Sequence, residues 1–287
     1  MRRFTRLTVV CAAAATTLAL SAAAFASAST RPGSNAAAAK AAAIAALRDI
    51  TANPPVTDQQ VPGTRHTVRG LTRVEYYNWS GYANDNSKEN IYKKVSGDWT
   101  EPAITCPTKE FQLAAFWVGI DGFTNATVEQ DGTLAECYKG TAFYYTWWEM
   151  YPTNDIQTVG TTVKPGDKIA ASVVRTGTSY ALTVTDSTTS GNNLSETETC
   201  AAATCTDASA EWIAEAPGGP RGEIPLPDFK TWKLSAASVT SGAKTGNIKT
   251  FPDDEITMVS GESYKLATPG ALNTAGTGFS DTWDNSY

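Results

Sequence analysis

The chain has 287 residues, a formal net charge of −6, five cysteines and a single histidine, His66. Ser-His-Asp triads, Cys-His pairs and zinc sites with several imidazoles depend on histidines in the folded domain, so these classes of enzyme are disfavoured. The acidic balance argues against a nucleic-acid partner. With 41% hydrophobic and 10% aromatic residues, the composition is that of a globular protein with a sizeable core.

Residues 1–28 have the three parts of a secretory signal peptide. Three arginines in the first six residues precede an apolar run over residues 7–25, which ends in the small residues Ala26-Ser27-Ala28. We expect cleavage after Ala28 and a secreted, extracellular protein with no membrane segment after cleavage. An uncleaved anchor helix is a weaker alternative, and so is a lipoprotein signal at Cys11, which lies too early in the apolar run.

Four cysteines remain beyond the predicted signal peptide, and an even number in an oxidising compartment indicates two disulfides. Cys200 and Cys205 are close in sequence, which suggests a local loop closure and leaves Cys106 to pair with Cys137. The other pairings remain formally open.

Residues 29–70 form a second segment outside the main domain. Ser34 or Asn35 is placed to cap an alanine-rich helix that runs to Asp49, and prolines follow it. No strand pattern is visible in this segment. It is either a flexible spacer or a pro-segment removed on maturation, and removal would leave a mature domain without His66.

Charge is divided at the same boundary. Residues 1–70 hold eight Lys/Arg and two Asp/Glu, which leaves residues 71–287 near −12 at neutral pH. Self-repulsion of this size falls as carboxylates protonate, which favours an acidic working environment, although solubility explains the charge equally well. A basic pro-segment would be attracted to this acidic domain, so we expect it to act as an inhibitor whose attraction weakens as the pH falls.

From residue 71 onward the pattern predicts a single all-β domain. Short alternating runs rich in β-branched and aromatic residues are separated by Gly, Asn, Asp and Pro turns, as in a sandwich or jelly roll. Residues 246–287 either complete the sandwich or extend beyond it. The predicted strands are Asn78–Asn84, Val95–Trp99, Gln112–Ile120, Ala142–Tyr151, Lys168–Arg175, Tyr180–Asp186, Ala210–Glu215 and Thr231–Thr240.

Four segments of the β region carry candidate chemistry. They are Asn-Trp-Ser-Gly-Tyr at 78–82, Trp-Val-Gly-Ile-Asp-Gly at 117–122 with Gln130 downstream, Trp-Trp-Glu-Met-Tyr-Pro at 147–152 and Ala-Glu-Trp-Ile-Ala-Glu at 210–215. Alternation places Trp147, Glu149 and Tyr151 on one strand face, where a carboxylate framed by apolar groups tends to have a raised pKa. Taken singly, each segment has an ordinary explanation as a turn, a core strand or a solvated carboxylate.

In this order and spacing, the four segments resemble the glutamic peptidases, or eqolisins, over nearly all of residues 75–245. The resemblance implies a concanavalin A-like β-sandwich of two antiparallel sheets at 71–287, one curved around a substrate cleft, and an acid-acting endopeptidase made as a secreted precursor. The family's catalytic residues fall on Gln130 and Glu215. Its cleft residues fall on Trp117, Asp121, Trp147, Glu149 and Tyr151.

The chain departs from that family at Tyr145. The fungal members carry an aspartate at this position, so we expect different hydrogen bonding beside the dyad.

Such a dyad has a clear physical logic. Peptide hydrolysis needs a base for water, donors for the oxyanion and an acid for the leaving amine. Glu215 would serve as base and then acid, while the neutral amide of Gln130 would hold water and the oxyanion at any pH. The mechanism requires no metal and no cofactor, and the expected protein is a monomer acting on polypeptides.

Two other functions fit parts of the pattern. A jelly-roll glycoside hydrolase would use Glu149 and Glu215 as its two carboxylates, and a carbohydrate-binding sandwich would use the tryptophans as stacking platforms. An aspartic peptidase would carry paired Asp-Thr-Gly or Asp-Ser-Gly triplets, which the sequence lacks. Gln130 is the residue that discriminates among these functions.

Overall fold

A computed structural model describes residues 32–51, 60–61, 64–68, 71–85, 91–107, 109–159, 163–201 and 204–286. The predicted signal peptide lies outside these ranges. The chain divides into two compact units, residues 1–38 and 39–287. The described part of the first unit is the beginning of a helix, and everything that follows concerns the second.

The described residues form one α-helix, nineteen β-strands and two short 3₁₀ helices, at Ser190–Asn192 and Ile248–Thr250. The α-helix is α1 (Pro32–Thr51). The strands are β1 (His66–Val68), β2 (Leu71–Tyr76), β3 (Trp79–Asp85), β4 (Tyr92–Thr100), β5 (Gln112–Ile120), β6 (Val128–Tyr138), β7 (Thr141–Tyr151), β8 (Gln157–Val159), β9 (Lys168–Thr176), β10 (Ser179–Asp186), β11 (Leu194–Thr199), β12 (Ser209–Glu215), β13 (Gly218–Gly219), β14 (Gly222–Glu223), β15 (Thr231–Ser241), β16 (Lys244–Gly246), β17 (Asp253–Val259), β18 (Lys265–Pro269) and β19 (Phe279–Trp283).

The strands form two layers of one continuous, largely antiparallel sheet. The first, called the cleft layer below, has the order β1-β2-β17-β3-β12-β5-β6-β7-β8. The second, the back layer, has the order β11-β10-β9-β4-β15-β19-β18. Pairing of β17 with β18 joins them. The predicted β-sandwich is confirmed.

Strand β5 lies at the centre of the cleft layer and is buried on both faces. Phe116, Val118 and Ile120 point into the core between the layers. Leu113, Ala115 and Trp117 point to the opposite face. This explains why the segment is almost continuously apolar instead of alternating. Burial of a side chain such as Phe116 contributes about 1.5–3 kcal/mol.

The eight predicted strands all exist, with ends that differ by a few residues. The alternation of apolar and polar residues does not predict β6, because polar residues occupy both faces of this strand. Glu129 and Asp131 lie on one face, and Gln130 and Glu136 lie on the other. The tail after residue 245 completes the sandwich, since β17, β18 and β19 pair within it. The prediction that no strand precedes residue 71 is wrong, because β1 lies there and pairs with β2.

Two disulfides are present, and both predicted pairings are confirmed. Cys106–Cys137 ties the loop after β4 to the end of β6, and Cys200–Cys205 closes the loop that precedes β12. In the described part of the chain, no helix has the length and apolar character needed to cross a membrane.

Candidate active site

The register of the cleft layer brings most of the predicted site residues onto its outer face, called the cleft face below. Gly119 on β5 lies opposite Gln130 on β6, which lies opposite Glu149 on β7. Trp117 and Trp147 form the next row across Gly132. Glu215 lies one row further, opposite Ala115. Since alternate residues share a face, these side chains converge although four strands supply them.

Glu215 is held by hydrogen-bond donors from β5 and from the residues before β3. Trp117 Nε1 donates to Glu215 Oε2 at 2.7 Å, and Asn78 Nδ2 donates to Oε1 at 3.4 Å. Burial raises the pKa of Glu215 to about 7, while the polar groups of Trp117, Trp79 and Asn78 act to lower it. A carboxyl in this setting can hold a proton and return it to a partner.

Gln130 is oriented by its cross-strand neighbour. Its Nε2 donates to Glu149 Oε2 at 2.7 Å, and both side chains are buried. Burial, together with the nearby charge of Glu215, raises the pKa of Glu149 to about 8, while the hydrogen bond from Gln130 acts to lower it. One N–H of the Gln130 amide is thus engaged by Glu149, and the amide has a second N–H that can donate to another acceptor.

Two glycines make room for this arrangement. A Cβ at Gly119 would lie 2.7 Å from Cζ3 of Trp117, so the indole ring rests on the bare backbone of this residue. At Gly132, a Cβ would lie 2.0 Å from the Phe116 carbonyl oxygen. The close approach of β5 and β6 therefore sets the direction in which Trp117 presents its N–H to Glu215.

The remaining two predicted cleft residues are placed differently. Asp121 follows β5 with a positive φ of 68°. Its carboxylate accepts hydrogen bonds from the backbone N–H groups of Asp207 and Ala208, at 2.8 and 2.7 Å, and from Asn125 Nδ2 at 2.7 Å. Asp121 therefore holds the loop before β12. Tyr151, at the end of β7, is half-buried and lies opposite Val128.

The profile of the peptidase A4 family matches residues 77–272. The chain belongs to this family, whose members are the glutamic peptidases. It is therefore a glutamic-type endopeptidase, and the glycosidase and carbohydrate-binding alternatives find no support in this match.

Solved structures of glutamic peptidases share the fold. Scytalidoglutamic peptidase with a transition-state analogue inhibitor is 23% identical, with a TM-score of 0.60 over 72% of this chain and 98% of that one. The eqolisin SCP-B, in complex with the tripeptide Ala-Ile-His, is 21% identical with a TM-score of 0.57 over 72% and 98%. Aspergilloglutamic peptidase from Aspergillus niger is 26% identical with a TM-score of 0.52 over 60% and 99%. No curated protein sequence matches the chain.

In this glutamic peptidase, the sequence pattern alone indicates no role for the segment 78–82. Asn78 donates to Glu215, and Trp79 packs edge-on against Trp117 with ring centroids 5.0 Å apart. The segment therefore forms the wall that fixes the Glu215 carboxyl. Alternation places a side chain on a face but does not say which indole or amide reaches across to a carboxylate, so only the order of the motifs pointed to it.

A group of possible metal ligands occurs elsewhere in this peptidase, between the layers. Among the described residues, ligand atoms of Glu129, Cys200 and Cys205 lie within 4.8 Å of one another. Both cysteines are joined in a disulfide, so neither offers the thiolate that a metal would bind.

Proposed function

We propose that this chain is the precursor of a secreted, metal-independent endopeptidase that works as a monomer in acid through Gln130 and Glu215. The observation that carries the proposal is their common position on the cleft face: the Glu215 carboxyl is held by two donors, and the Gln130 amide is fixed by Glu149. The acidic domain, the two disulfides and the signal-peptide pattern support secretion into an acidic medium.

The proposed reaction uses one carboxyl and one amide. The Glu215 carboxylate takes a proton from water as the water oxygen attacks the scissile carbonyl carbon. The Gln130 N–H donates to the resulting oxyanion, an interaction of a kind worth about 3–4 kcal/mol. Glu215 then gives the proton to the amine as the C–N bond breaks, and returns to the carboxylate form.

Residues 39–51 of α1 are proposed to block the cleft face until maturation. Leu47 is buried in the same apolar cluster as Trp117 and Trp147, and Lys40 Nζ lies 5.7 Å from the centroid of the Tyr145 ring on β7. Asp49 lines a cavity with the hairpin β13–β14. Nine residues of helix span about 13 Å, so this part of α1 crosses several strands.

A covered cleft also suppresses the proposed base. With the pKa of Glu215 raised to about 7, the carboxyl stays protonated in acid and cannot take a proton from water. Departure of the helix would hydrate the carboxyl and bring its pKa toward the ordinary range. Opening of the cleft therefore exposes the substrate site and activates Glu215 at the same time.

Maturation is expected to spare β2. This strand pairs in parallel with β17, and Tyr76 stacks on Trp79 and on Phe123 at 5.7 and 5.5 Å. Loss of Tyr76 would open the wall behind Glu215. We therefore expect the mature N-terminus between about Thr67 and Leu71, which mass spectrometry of the secreted protein after acid incubation would show; a persistent start near Ser29 with full activity would contradict it.

The test of the dyad is hydrolysis of a denatured protein at about pH 4 by the wild type and by Gln130→Ala and Glu215→Gln. Each substitution is expected to lower the rate at least about 10³-fold while circular dichroism remains unchanged. A chelator and an aspartic-peptidase inhibitor should leave the wild type active. Full proteolysis by either variant contradicts the dyad, and polysaccharide cleavage without proteolysis by the wild type favours the glycosidase.

A further inference from the structure

A cavity of about 730 Å³, called the edge cavity below, opens at the side of the sandwich and is lined by residues of β2, β17 and β18. Its floor is a row of three side chains, Arg73 on β2, Glu255 on β17 and Tyr82 on β3. Tyr82 belongs to the core between the layers, whereas Val74 and Ile256 on the neighbouring strands pack in the apolar cluster of the cleft face. The edge cavity therefore lies on the opposite side of the cleft layer from the proposed dyad.

The floor of the edge cavity holds a fixed guanidinium group. Arg73 Nε donates to Glu255 Oε1 at 2.8 Å, and Tyr82 Oη donates to Glu255 Oε2 at 3.1 Å. Both oxygens of this buried carboxylate are thus engaged, and its charge is paired with that of Arg73. Because Glu255 engages only the Nε–H of the guanidinium, the N–H groups on the two terminal nitrogens of Arg73 can donate to a ligand.

Two lysines complete a basic lining around this guanidinium. Lys265 begins β18, and Lys249 lies in the second 3₁₀ helix, where its Nζ donates to the Asn273 carbonyl oxygen at 2.9 Å. In the precursor, His66 on β1 lines the same cavity. Residues 71–287 have a net charge near −12, so a cavity lined by two lysines and an arginine differs from the charge of the domain around it.

The charge of the edge cavity depends on pH. At neutral pH its two lysines and one arginine are balanced by three carboxylates, those of Glu75, Asp253 and Glu255. Carboxylates take up protons as the pH falls, whereas ammonium and guanidinium groups keep their charge and a histidine becomes charged. Burial raises the pKa of Asp253, although the charge of Lys249 acts to lower it, and burial also raises the pKa of Tyr82, which stays neutral. The cavity is therefore close to neutral at about pH 7 and cationic in acid.

We propose that the edge cavity binds the sulfate or phosphate group of a small anion in acid, with Arg73, Lys249 and Lys265 as the donors. Such a group accepts several charge-assisted hydrogen bonds at once, and a guanidinium offers it two parallel N–H groups. Because Arg73 is on β2 and Lys265 is on β18, the bound anion links the cleft layer to the back layer at their open side. The match to the family profile begins at residue 77, so Arg73 lies outside the segment that this profile covers. Under the proposed maturation β2 loses its pairing with β1, and the anion then holds the strand that carries Tyr76.

The test measures binding of inorganic sulfate to the full-length chain by titration calorimetry. All proteins carry Glu215→Gln, so that proteolysis does not shorten the chain during the measurement. Sulfate has the same charge at about pH 4.5 and about pH 7, so a change in Kd between them comes from the protein. We expect a Kd at least about fivefold lower at about pH 4.5 than at about pH 7. Arg73→Met and Lys265→Met are each expected to raise the Kd in acid about tenfold, because each removes a charged donor.

The matched control is Lys93→Met, which removes an exposed lysine of β4 that does not line the cavity and should leave the Kd unchanged. A tighter Kd for glucose 6-sulfate assigns an organic ester as the ligand, and an equal or weaker one assigns the free anion. Thermal unfolding identifies a misfolded Arg73→Met, in which case Lys265→Met decides.

Two results overturn the anion site. One is the absence of saturable sulfate binding at about pH 4.5, or binding that is no tighter there than at about pH 7. The other is a Kd that Arg73→Met and Lys265→Met leave unchanged, which would mean that sulfate binds elsewhere. Neither result bears on Gln130 and Glu215, because no hydrolysis is measured.

Discussion

The two faces of the cleft layer are both buried, but by different partners. One face packs permanently against the back layer and carries Glu129 and Asp131 of β6. The other carries Gln130 and Glu149, and is covered partly by residues 39–51 of α1, from which Leu47 joins its apolar cluster. Burial on the first face lasts as long as the fold, whereas, under the proposed function, burial on the second ends when residues 39–51 leave.

The same physical effect therefore has two outcomes. Burial raises the pKa of Glu129 and Asp131 well above their ordinary values, because it removes water from the charged carboxylates. On the cleft face, the donors around Glu215 act against the effect of burial, and its pKa is about 7. The interior acids, with their raised pKa values, favour the folded state at low pH. The cleft acids are available for chemistry once water reaches them.

The largest expected effect concerns the interior between the two layers, to which the back layer contributes Glu101 and Asp281, and its dependence on pH. Burial raises the pKa of Glu101 and of Asp281 to about 8 each, above ordinary values of 4.5 and 3.8. Groups of this kind stabilise the fold fully below their unfolded pKa, and this contribution is lost as the pH rises through the folded value. Urea unfolding should therefore show a free energy that falls between about pH 4.5 and about pH 8, by about 3 kcal/mol at pH 7 for Glu101 alone.

A substitution can sharpen this prediction. Glu101→Gln keeps an acceptor for Trp99 Nε1, which lies 3.3 Å from Glu101 Oε2, but cannot ionise. The variant should have a flatter dependence of unfolding free energy on pH, whereas Glu262→Gln, which changes an exposed carboxylate, should follow the wild type. A wild-type stability that increases from pH 4.5 to pH 8 is incompatible with neutral interior acids.

The next effect tests whether the cover of the cleft face can be removed. Leu47 is 1% exposed, so Leu47→Ala removes buried apolar contacts that hold the helix, typically worth about 2–5 kcal/mol. The precursor should mature more than about tenfold faster at a fixed acidic pH, measured by the appearance of peptidase activity. Ala45→Ser changes an exposed position of the same helix and serves as the control. An unchanged maturation rate in Leu47→Ala argues against the helix as the cover.

A smaller effect tests the donors that hold Glu215. Trp117→Phe removes the N–H that donates to Glu215 Oε2 at 2.7 Å and keeps an aromatic ring. Loss of a donor to the carboxylate raises its pKa, so the acidic limb of the kcat/KM profile should move to higher pH and the rate at about pH 4 should fall about tenfold. Trp283→Phe removes an indole that donates to the Leu226 carbonyl and not to a carboxylate of the cleft face, so it should leave the profile in place. A lower rate with an unshifted limb would indicate lost packing only.

These two faces also show how far the sequence determines the structure. The alternation in β7 correctly places Trp147 and Glu149 together, and the apolar run of β5 is clear because both of its faces are buried. Strand β6 is invisible to that rule, although it carries Gln130, because buried polar residues occupy both of its faces. The positions of Lys40 and Asn78 depend on long-range packing, which no local pattern specifies.

The smallest effect separates a specific contact of the cover from its general charge. Lys40→Met keeps the length of the side chain and removes the cation that lies over the Tyr145 ring. An exchange of this size is worth about 0.5–1 kcal/mol, so maturation should be about two- to fivefold faster. Arg48→Met removes the same charge from an exposed position of α1 and controls for attraction between a basic helix and an acidic domain. If Arg48→Met accelerates maturation as much as Lys40→Met does, charge alone holds the helix and the Tyr145 ring adds nothing. If only Lys40→Met accelerates maturation, the contact with the Tyr145 ring holds residues 39–51 on the cleft face. The two faces of the cleft layer then differ in their specific contacts as well as in how long they stay buried.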